Sequence, residues 1–132
     1  MRKTLISATL AVLAVCGISA KKSETLCFAN EGLKEKQTIR FEVSNNIISK
    51  GRFIRENYEE DAPRTSAFTG SKTGTVLVIE FKGKTPYPTP PKSDTIVWKL
   101  GKQGLVVSMY GKNYETNKWS AYDAVFTACK TE

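Results

Sequence analysis

The chain of 132 residues contains no histidine, the residue that usually serves as general base near neutral pH and that most often binds metals. Its absence excludes Ser-His-Asp and Cys-His catalytic arrangements and the common zinc centres. We therefore expect a protein that is not an enzyme and that holds no metal or cofactor. The chain is also basic, with 20 lysines and arginines, 13 aspartates and glutamates, and a formal net charge of +7.

Residues 1–20 have the composition of a secretory signal peptide. Two basic residues are followed by an uncharged, mostly apolar stretch over residues 4–15, and residues 17–20 are small enough for a cleavage region. The apolar stretch is shorter than the about 20 residues that a membrane-spanning helix requires. We predict that the chain is exported to the periplasm or out of the cell, and that residues 21–132 form a single domain.

Residues 13–16, Leu-Ala-Val-Cys, also resemble the end of a bacterial lipoprotein signal, in which the cysteine becomes the lipidated first residue. That resemblance implies a small residue before the cysteine, whereas this chain has Val15 there. Two alternatives therefore remain open. Either the domain starts at Lys21 and diffuses freely, or it is a lipoprotein anchored through Cys16, and only the second alternative brings it to a membrane.

Export determines how the other two cysteines are interpreted. With Cys16 assigned to the signal or to a lipid anchor, Cys27 and Cys129 remain as an even pair in an oxidising compartment. We predict a disulfide between them that joins the first strand to the last and closes a loop of about 100 residues. The alternative is two free, buried thiols.

Export also limits the partners that the positive charge can attract. Without residues 1–20 the chain loses two of its 20 basic residues, Arg2 and Lys3, so 18 basic and 13 acidic residues remain, an excess of five. This excess favours acidic proteins, polyanionic glycans or membrane surfaces. Nucleic acid is not an expected partner, because the sequence has no basic helix and no nucleic-acid-binding motif.

The first half of the domain shows strand-like segments separated by turns. Apolar and polar residues alternate over 38–43, which predicts a half-buried strand. After an asparagine turn we predict a return strand over 47–57, with a bulge or bend at Gly51. A short strand around 66–70 precedes the most β-prone run, 75–81, which we interpret as a central strand.

The second half begins with a loop, since residues 82–94 contain four of the five prolines. The runs 95–100 and 105–110 predict a hairpin around a turn bounded by glycines. Residues 114–119 are ambiguous, and residues 121–129 predict a last strand.

About eight short antiparallel strands predict an all-β fold, either a small up-and-down barrel or a sandwich. We favour the barrel, with a meander similar to that of calycins and lipocalins, because closure removes exposed strand edges. We also expect side chains to pack the interior. The residues bulky enough to fill it are Phe41, Leu77, Ile79, Phe81, Ile96, Trp98, Leu105 and Val107.

Two segments are candidate binding sites. Residues 110–122 place aromatic, amide and cationic side chains around turns, which suits sugar stacking or a protein-binding hot spot. The proline-rich loop offers a preformed extended backbone that orders at little cost when a partner binds. The candidate binding residues are Tyr110, Lys112, Tyr114, Trp119, Lys84 and Tyr87. The alternative for the first segment is that Trp119 and Tyr122 fill one end of the barrel, and for the loop that it only crosses one end with limited flexibility.

The sequence thus predicts an exported binding module that contacts a protein or an envelope glycan through its end loops. One alternative is a protein inhibitor, since the chain is similar in size, export and disulfide-linked barrel form to the small periplasmic inhibitors of C-type lysozyme. That similarity is architectural, and the Ser/Gly/Tyr-containing loop that it implies is missing from this sequence. Another alternative is a lipocalin-like carrier, which requires a hollow barrel.

Overall fold

The computed structural model describes residues 23–91 and 95–130. The predicted signal peptide of residues 1–20 and the possible lipid anchor at Cys16 lie outside the described residues. The strands in the described part of the chain are β1 (Glu24–Glu31), β2 (Glu35–Ser44), β3 (Ile47–Asn57), β4 (Arg64–Thr73), β5 (Val76–Phe81), β6 (Ile96–Gly101), β7 (Gly104–Asn113) and β8 (Lys118–Ala128).

The strands form a closed barrel in which each one pairs antiparallel with the next. Closure occurs where β8 returns to β1, with Phe28 opposite Ala128 and Ala29 opposite Thr127. This confirms the prediction of an all-β antiparallel barrel over that of a sandwich. Because the sheet closes on itself, it needs no second sheet to cover its apolar face.

The alternation of apolar residues places one face of each strand inside. In β2, Ile39 and Phe41 are completely buried, as the pattern over 38–43 predicts. β5 pairs with β4 on one side and with β6 on the other, as a central strand does, and in a closed barrel every strand has two such neighbours. The inner face of β5 is buried, whereas Val76 and Val78 on its outer face are 38% and 40% exposed.

Aromatic rings meet across the interior, as the prediction of a packed barrel requires. Phe53 contacts Phe81 and Phe126 with ring centroids 6.2 and 6.1 Å apart, and Phe68 contacts Trp98 at 5.1 Å. The buried apolar side chains of the described residues form one cluster. That cluster contains the predicted interior residues, with Ile96 partly buried against it.

The predicted irregularity at Gly51 is a β-bulge. The register between β3 and β4 shifts between Ile48 and Gly51, and Lys50 within the shift has a positive φ of 54°. A Cβ atom at Gly51 would lie 2.5 Å from the ring of Phe68, so a larger residue would displace a core side chain. The bulge bends the strand at a point where only glycine fits.

The predicted disulfide between Cys27 and Cys129 is present, with their Cα atoms 5.4 Å apart. The backbone N–H of Cys129 also donates to the carbonyl of Cys27 at 3.0 Å. The disulfide therefore lies beside the short pairing of β1 with β8. It joins the first strand of the barrel to the residue that follows the last strand.

Replacing both cysteines, Cys27→Ser with Cys129→Ser, should lower the free energy of unfolding by about 2–5 kcal/mol, the usual cost of removing a native disulfide from a small exported domain. The bond closes a loop with a sequence separation of 102. Urea unfolding with and without a reductant measures the effect. Reductant should lower the midpoint of the wild type alone, and an unchanged wild-type midpoint would contradict the prediction.

Candidate functional site

The loops of the barrel lie at two ends, because successive strands run in opposite directions. One end, here called the hairpin end, carries the connections 32–34, 58–63, 82–95 and 114–117. The opposite end carries the connections 45–46, 74–75 and 102–103, together with Ser23, which precedes β1.

Large aromatic side chains are exposed at the hairpin end. Tyr114 is 89% exposed, and Tyr58, Trp119 and Tyr122 are each between 51% and 57% exposed. Among the described residues, these are the aromatics with more than half of their surface exposed. The neighbouring Leu33 is fully exposed. One end of the barrel therefore carries the apolar surface expected of a binding site.

Part of the β7–β8 hairpin extends beyond the closed barrel. The pairing of β6 with β7 ends at Trp98 opposite Val107, and the pairing of β1 with β8 includes only Phe28 and Ala29 of β1. In residues 108–124, here called the hairpin arm, β7 and β8 pair with each other. At the base of the arm, Met109 still belongs to the core cluster and Ala124 packs against it, so the residues nearer the tip are the ones that extend beyond the barrel. The proline-rich loop supports one side of the arm, since Tyr110 N–H donates to the Pro88 carbonyl at 3.0 Å.

The outer face of the arm carries three of the candidate residues together. The rings of Tyr110 and Trp119 stack with centroids 5.5 Å apart and planes 19° from parallel. Lys112 lies directly opposite Trp119 in the strand register. All three positions alternate with inward-facing residues, so they share the outer face. The result is a broad aromatic surface beside a lysine.

Tyr114 lies at the tip of the arm, in a turn held by Asn113. The Asn113 side-chain oxygen accepts hydrogen bonds from the backbone N–H groups of Glu115 and Thr116, at 2.9 and 3.4 Å. The backbone of Asn117 adopts a positive φ of 62° and donates to the Asn113 carbonyl at 2.7 Å. Hydrogen bonds thus hold the backbone of the turn that carries the exposed Tyr114 side chain.

The inner face of the arm carries Tyr122, which the list of candidate residues omitted. Its hydroxyl donates to the sulfur of Met109 at 3.6 Å, a weak hydrogen bond. Its ring covers Gly111, where an added Cβ would lie 2.8 Å from the ring. Tyr122 therefore lies at the mouth of the barrel, half buried and half exposed. Alternation along β8 puts Tyr122 on the same face as the buried Phe126, but it does not indicate that the strand leaves the barrel there.

Along one edge of the arm, the backbone groups have no neighbouring strand among residues 23–91 and 95–130. The carbonyl of Val125 accepts a hydrogen bond from the Asn30 side chain at 2.9 Å, and Cys129 N–H donates to Cys27. Val125 and Cys129 are both odd-numbered, and their backbone groups point toward β1. Because the backbone groups of successive residues in a strand point to opposite edges, the N–H and C=O groups of residues 119, 121 and 123 point to the same edge as those of Val125. β1 ends at Glu31, so in the described residues no strand covers this edge.

The proline-rich loop places Tyr87 inside the barrel, away from the other candidates. Its side chain is 5% exposed and packs against Phe53 and Phe81, with centroids 5.4 and 6.1 Å apart. The indole N–H of Trp98 donates to its hydroxyl at 2.9 Å. Burial raises the pKa of Tyr87 to about 12. Tyr87 is a core residue that closes the hairpin end, and it offers a partner no surface.

Lys84 lies on the same loop and is exposed, and the described contacts do not join it to the arm. The structure thus brings together Tyr110, Lys112 and Trp119, places Tyr114 at the nearby tip, and separates Lys84 and Tyr87 from them. Extended loops bounded by prolines give no periodicity, so their sequence does not indicate which side chain turns inward.

An ion pair fixes the loop to the barrel wall. Arg55 donates two hydrogen bonds to the carboxylate of Glu35, at 2.9 and 3.2 Å, and a third to the Pro86 carbonyl at 3.1 Å. Gln37 also donates to Glu35. The hydrogen bonds from Arg55 lower the pKa of Glu35, and the carboxylate in turn raises the pKa of Arg55. Arg55 of β3 therefore holds Pro86, the residue before Tyr87.

Comparison of the chain with protein-family models, curated proteins and solved structures gave no match. Within residues 23–91 and 95–130, the structure contains no helix long and apolar enough to cross a membrane. The same residues contain no group of three or more histidine, cysteine or acidic side chains arranged to hold a metal ion.

The variant Tyr87→Phe should lower the free energy of unfolding by about 1–3 kcal/mol, because it leaves the buried indole N–H of Trp98 without an acceptor. Tyr114→Phe removes the same hydroxyl from an exposed ring and should change stability by less than about 0.5 kcal/mol. Urea unfolding followed by tryptophan fluorescence measures both variants. Equal effects would show that the buried hydrogen bond does not contribute.

The variant Glu35→Gln should be less stable than the wild type at pH 7, because it removes the charge that pairs with Arg55. The expected loss is only about 1 kcal/mol, since solvent screens this partly exposed pair. A lowered folded pKa means that this stabilisation is present above the ordinary value of 4.5 and is lost as the pH falls through the folded value. The difference between the two proteins should therefore shrink below pH 4.5. Glu59→Gln, at an exposed position, serves as control in thermal unfolding from pH 3 to 7, and a constant difference would contradict the assignment.

Proposed function

We propose that this chain is an exported, non-enzymatic binding module that holds a partner protein at its hairpin arm. The observation that carries the proposal is the aromatic surface of the hairpin arm: Trp119 and Tyr114 are exposed, the partly buried Tyr110 stacks on Trp119, and Lys112 lies beside them. Tyrosine and tryptophan provide large contact area with a polar tip and dominate many protein-binding hot spots.

The open edge of the arm favours a protein over a glycan as the partner. Stacked rings suit either class, since sugars also pack on aromatic faces. An edge with unpaired N–H and C=O groups suits an extended protein segment, which can add a strand to the sheet. On this edge, the backbone groups of Ala121 lie between the outward-facing side chains of Trp119 and Asp123.

The construction of the arm lowers the entropic cost of binding. The hydrogen bonds of Asn113 hold the tip, and the stacking of Tyr110 on Trp119 holds both rings. Surfaces that are ordered before the partner arrives lose less conformational entropy on association.

Export and the absence of enzymatic activity are supported by other features. The composition of residues 1–20 and the Cys27–Cys129 disulfide both suit an oxidising compartment outside the cytosol. The lack of histidine removes the usual general base. The aromatic rings that pack the interior argue against a lipocalin-like carrier. Anchoring through a lipidated Cys16 remains the alternative to a freely diffusing protein.

The protein, immobilised and exposed to a detergent extract of envelope proteins, should retain a partner that mass spectrometry identifies. Trp119→Ala should weaken retention of that partner about thirtyfold, the effect of removing one hot-spot residue. Ala121→Pro should also weaken it, because proline removes an N–H from the open edge while the pairing with β7 uses the neighbouring residues.

Ile47→Ala is the matched control, since Ile47 is 57% exposed, close to the 52% of Trp119, and lies at the opposite end. Thermal unfolding must show that every variant folds. Retention that survives Trp119→Ala, or that falls equally with Ile47→Ala, would refute the hairpin arm as the site. Retention lost with Trp119→Ala and kept with Ala121→Pro would refute strand addition alone.

A further inference from the structure

A groove of about 460 Å³ lies on the outer wall of the barrel, formed by residues of β1 to β4 and the start of the loop after β5. Its lining includes no residue of the hairpin arm. The lining residues that carry charge or hydroxyl groups include Arg40, Arg52, Lys50, Lys82, Thr25 and Thr69. Ala67 also lines it, and its small, exposed side chain leaves room for a ligand.

Two arginines face each other inside this groove. Arg40 of β2 lies directly opposite Arg52 of β3, and both side chains are exposed. Like charges at directly opposite positions destabilise a sheet. Within the described part of the chain, no carboxylate lies within 4.0 Å of either guanidinium. The pair thus costs stability and leaves most of its donors available.

Glu42, the acidic residue of the groove lining, contacts groups other than the two arginines. Glu42 accepts a hydrogen bond from Ser23 at 3.1 Å and forms an ion pair with Lys50 at 3.6 Å. Arg40 makes a weak contact, from Nη2 to the sulfur of Cys27 at 3.6 Å. The groove therefore has a net positive charge, and no carboxylate of residues 23–91 or 95–130 neutralises its two arginines.

We infer that this groove binds an acidic polysaccharide, a chain whose repeating sugars carry carboxylates. The planar fork of arginine matches the two oxygens of a carboxylate. Threonine hydroxyls such as those of Thr25 and Thr69 can donate to and accept from sugar hydroxyls. The recess suits a polymer that lies along the wall, whereas a flat membrane surface would contact protruding side chains rather than a groove.

An oligogalacturonate is the probe, titrated calorimetrically at low salt into protein purified from cells that express the complete chain. The wild type should bind it, and raising the salt concentration should weaken binding because the contacts are between charges. The fully methyl-esterified oligosaccharide, which keeps the sugars and loses the charge, should not bind.

The double variant Arg40→Gln with Arg52→Gln should weaken binding about tenfold or more. Its melting temperature should be equal to or above that of the wild type, because the opposed like charges are removed. The control, Lys99→Gln with Lys102→Gln, makes the same change in net charge on β6 and its turn and should keep the wild-type affinity.

Three results would overturn the inference: no binding at millimolar oligogalacturonate, an equal loss in the lysine control, or tighter binding of polyphosphate or of phosphatidylglycerol vesicles with the same dependence on the arginines. Trp119→Ala should leave oligogalacturonate binding unchanged. The arginine variant should likewise keep the protein retained by the hairpin arm, so failure of one proposal is distinguishable from failure of the other.

Discussion

The arrangement of this molecule depends on where β8 meets β1. Closing an antiparallel sheet into a barrel requires the first and last strands to pair, and here the pairing uses Phe28 and Ala29 on β1 and the end of β8. The disulfide between Cys27 and Cys129 holds the chain beside this short seam. Because only the last residues of β8 pair with β1, its first residues pair with β7 alone and form the hairpin arm. The same constraint thus closes the core and produces the candidate site.

The hairpin end combines a closed core with an exposed arm, and the proline-rich loop serves both. Tyr87 fills the interior and accepts a hydrogen bond from Trp98, while Pro88 accepts one from the arm at Tyr110. Arg55 holds the neighbouring Pro86 carbonyl. A loop with no regular secondary structure is therefore anchored at successive residues, and it transmits the rigidity of the barrel to the base of the arm.

Sequence alternation predicted the strands, and the preference for a barrel over a sandwich came from the need to remove exposed strand edges. The period of two over 38–43, the glycine at position 51 and the even pair of cysteines each favoured the feature that the structure shows. The site was harder to predict, because it depends on register. That Arg40 lies opposite Arg52, and that Trp119 stacks on Tyr110, follows from which residues pair across strands. Neither the spacing of these residues nor their type contains that information, and the inward turn of Tyr87 has no periodic signal at all.

The position of Ser23 at the end of the barrel opposite the arm gives the molecule a direction. The strand β8 has 11 residues, which at the rise and tilt usual for barrel strands spans about 30 Å along the axis. Any attachment made through the segment before Ser23 would therefore place the length of the barrel between that end and the hairpin arm. The aromatic surface would then face away from the point of attachment, toward partners in the surrounding medium.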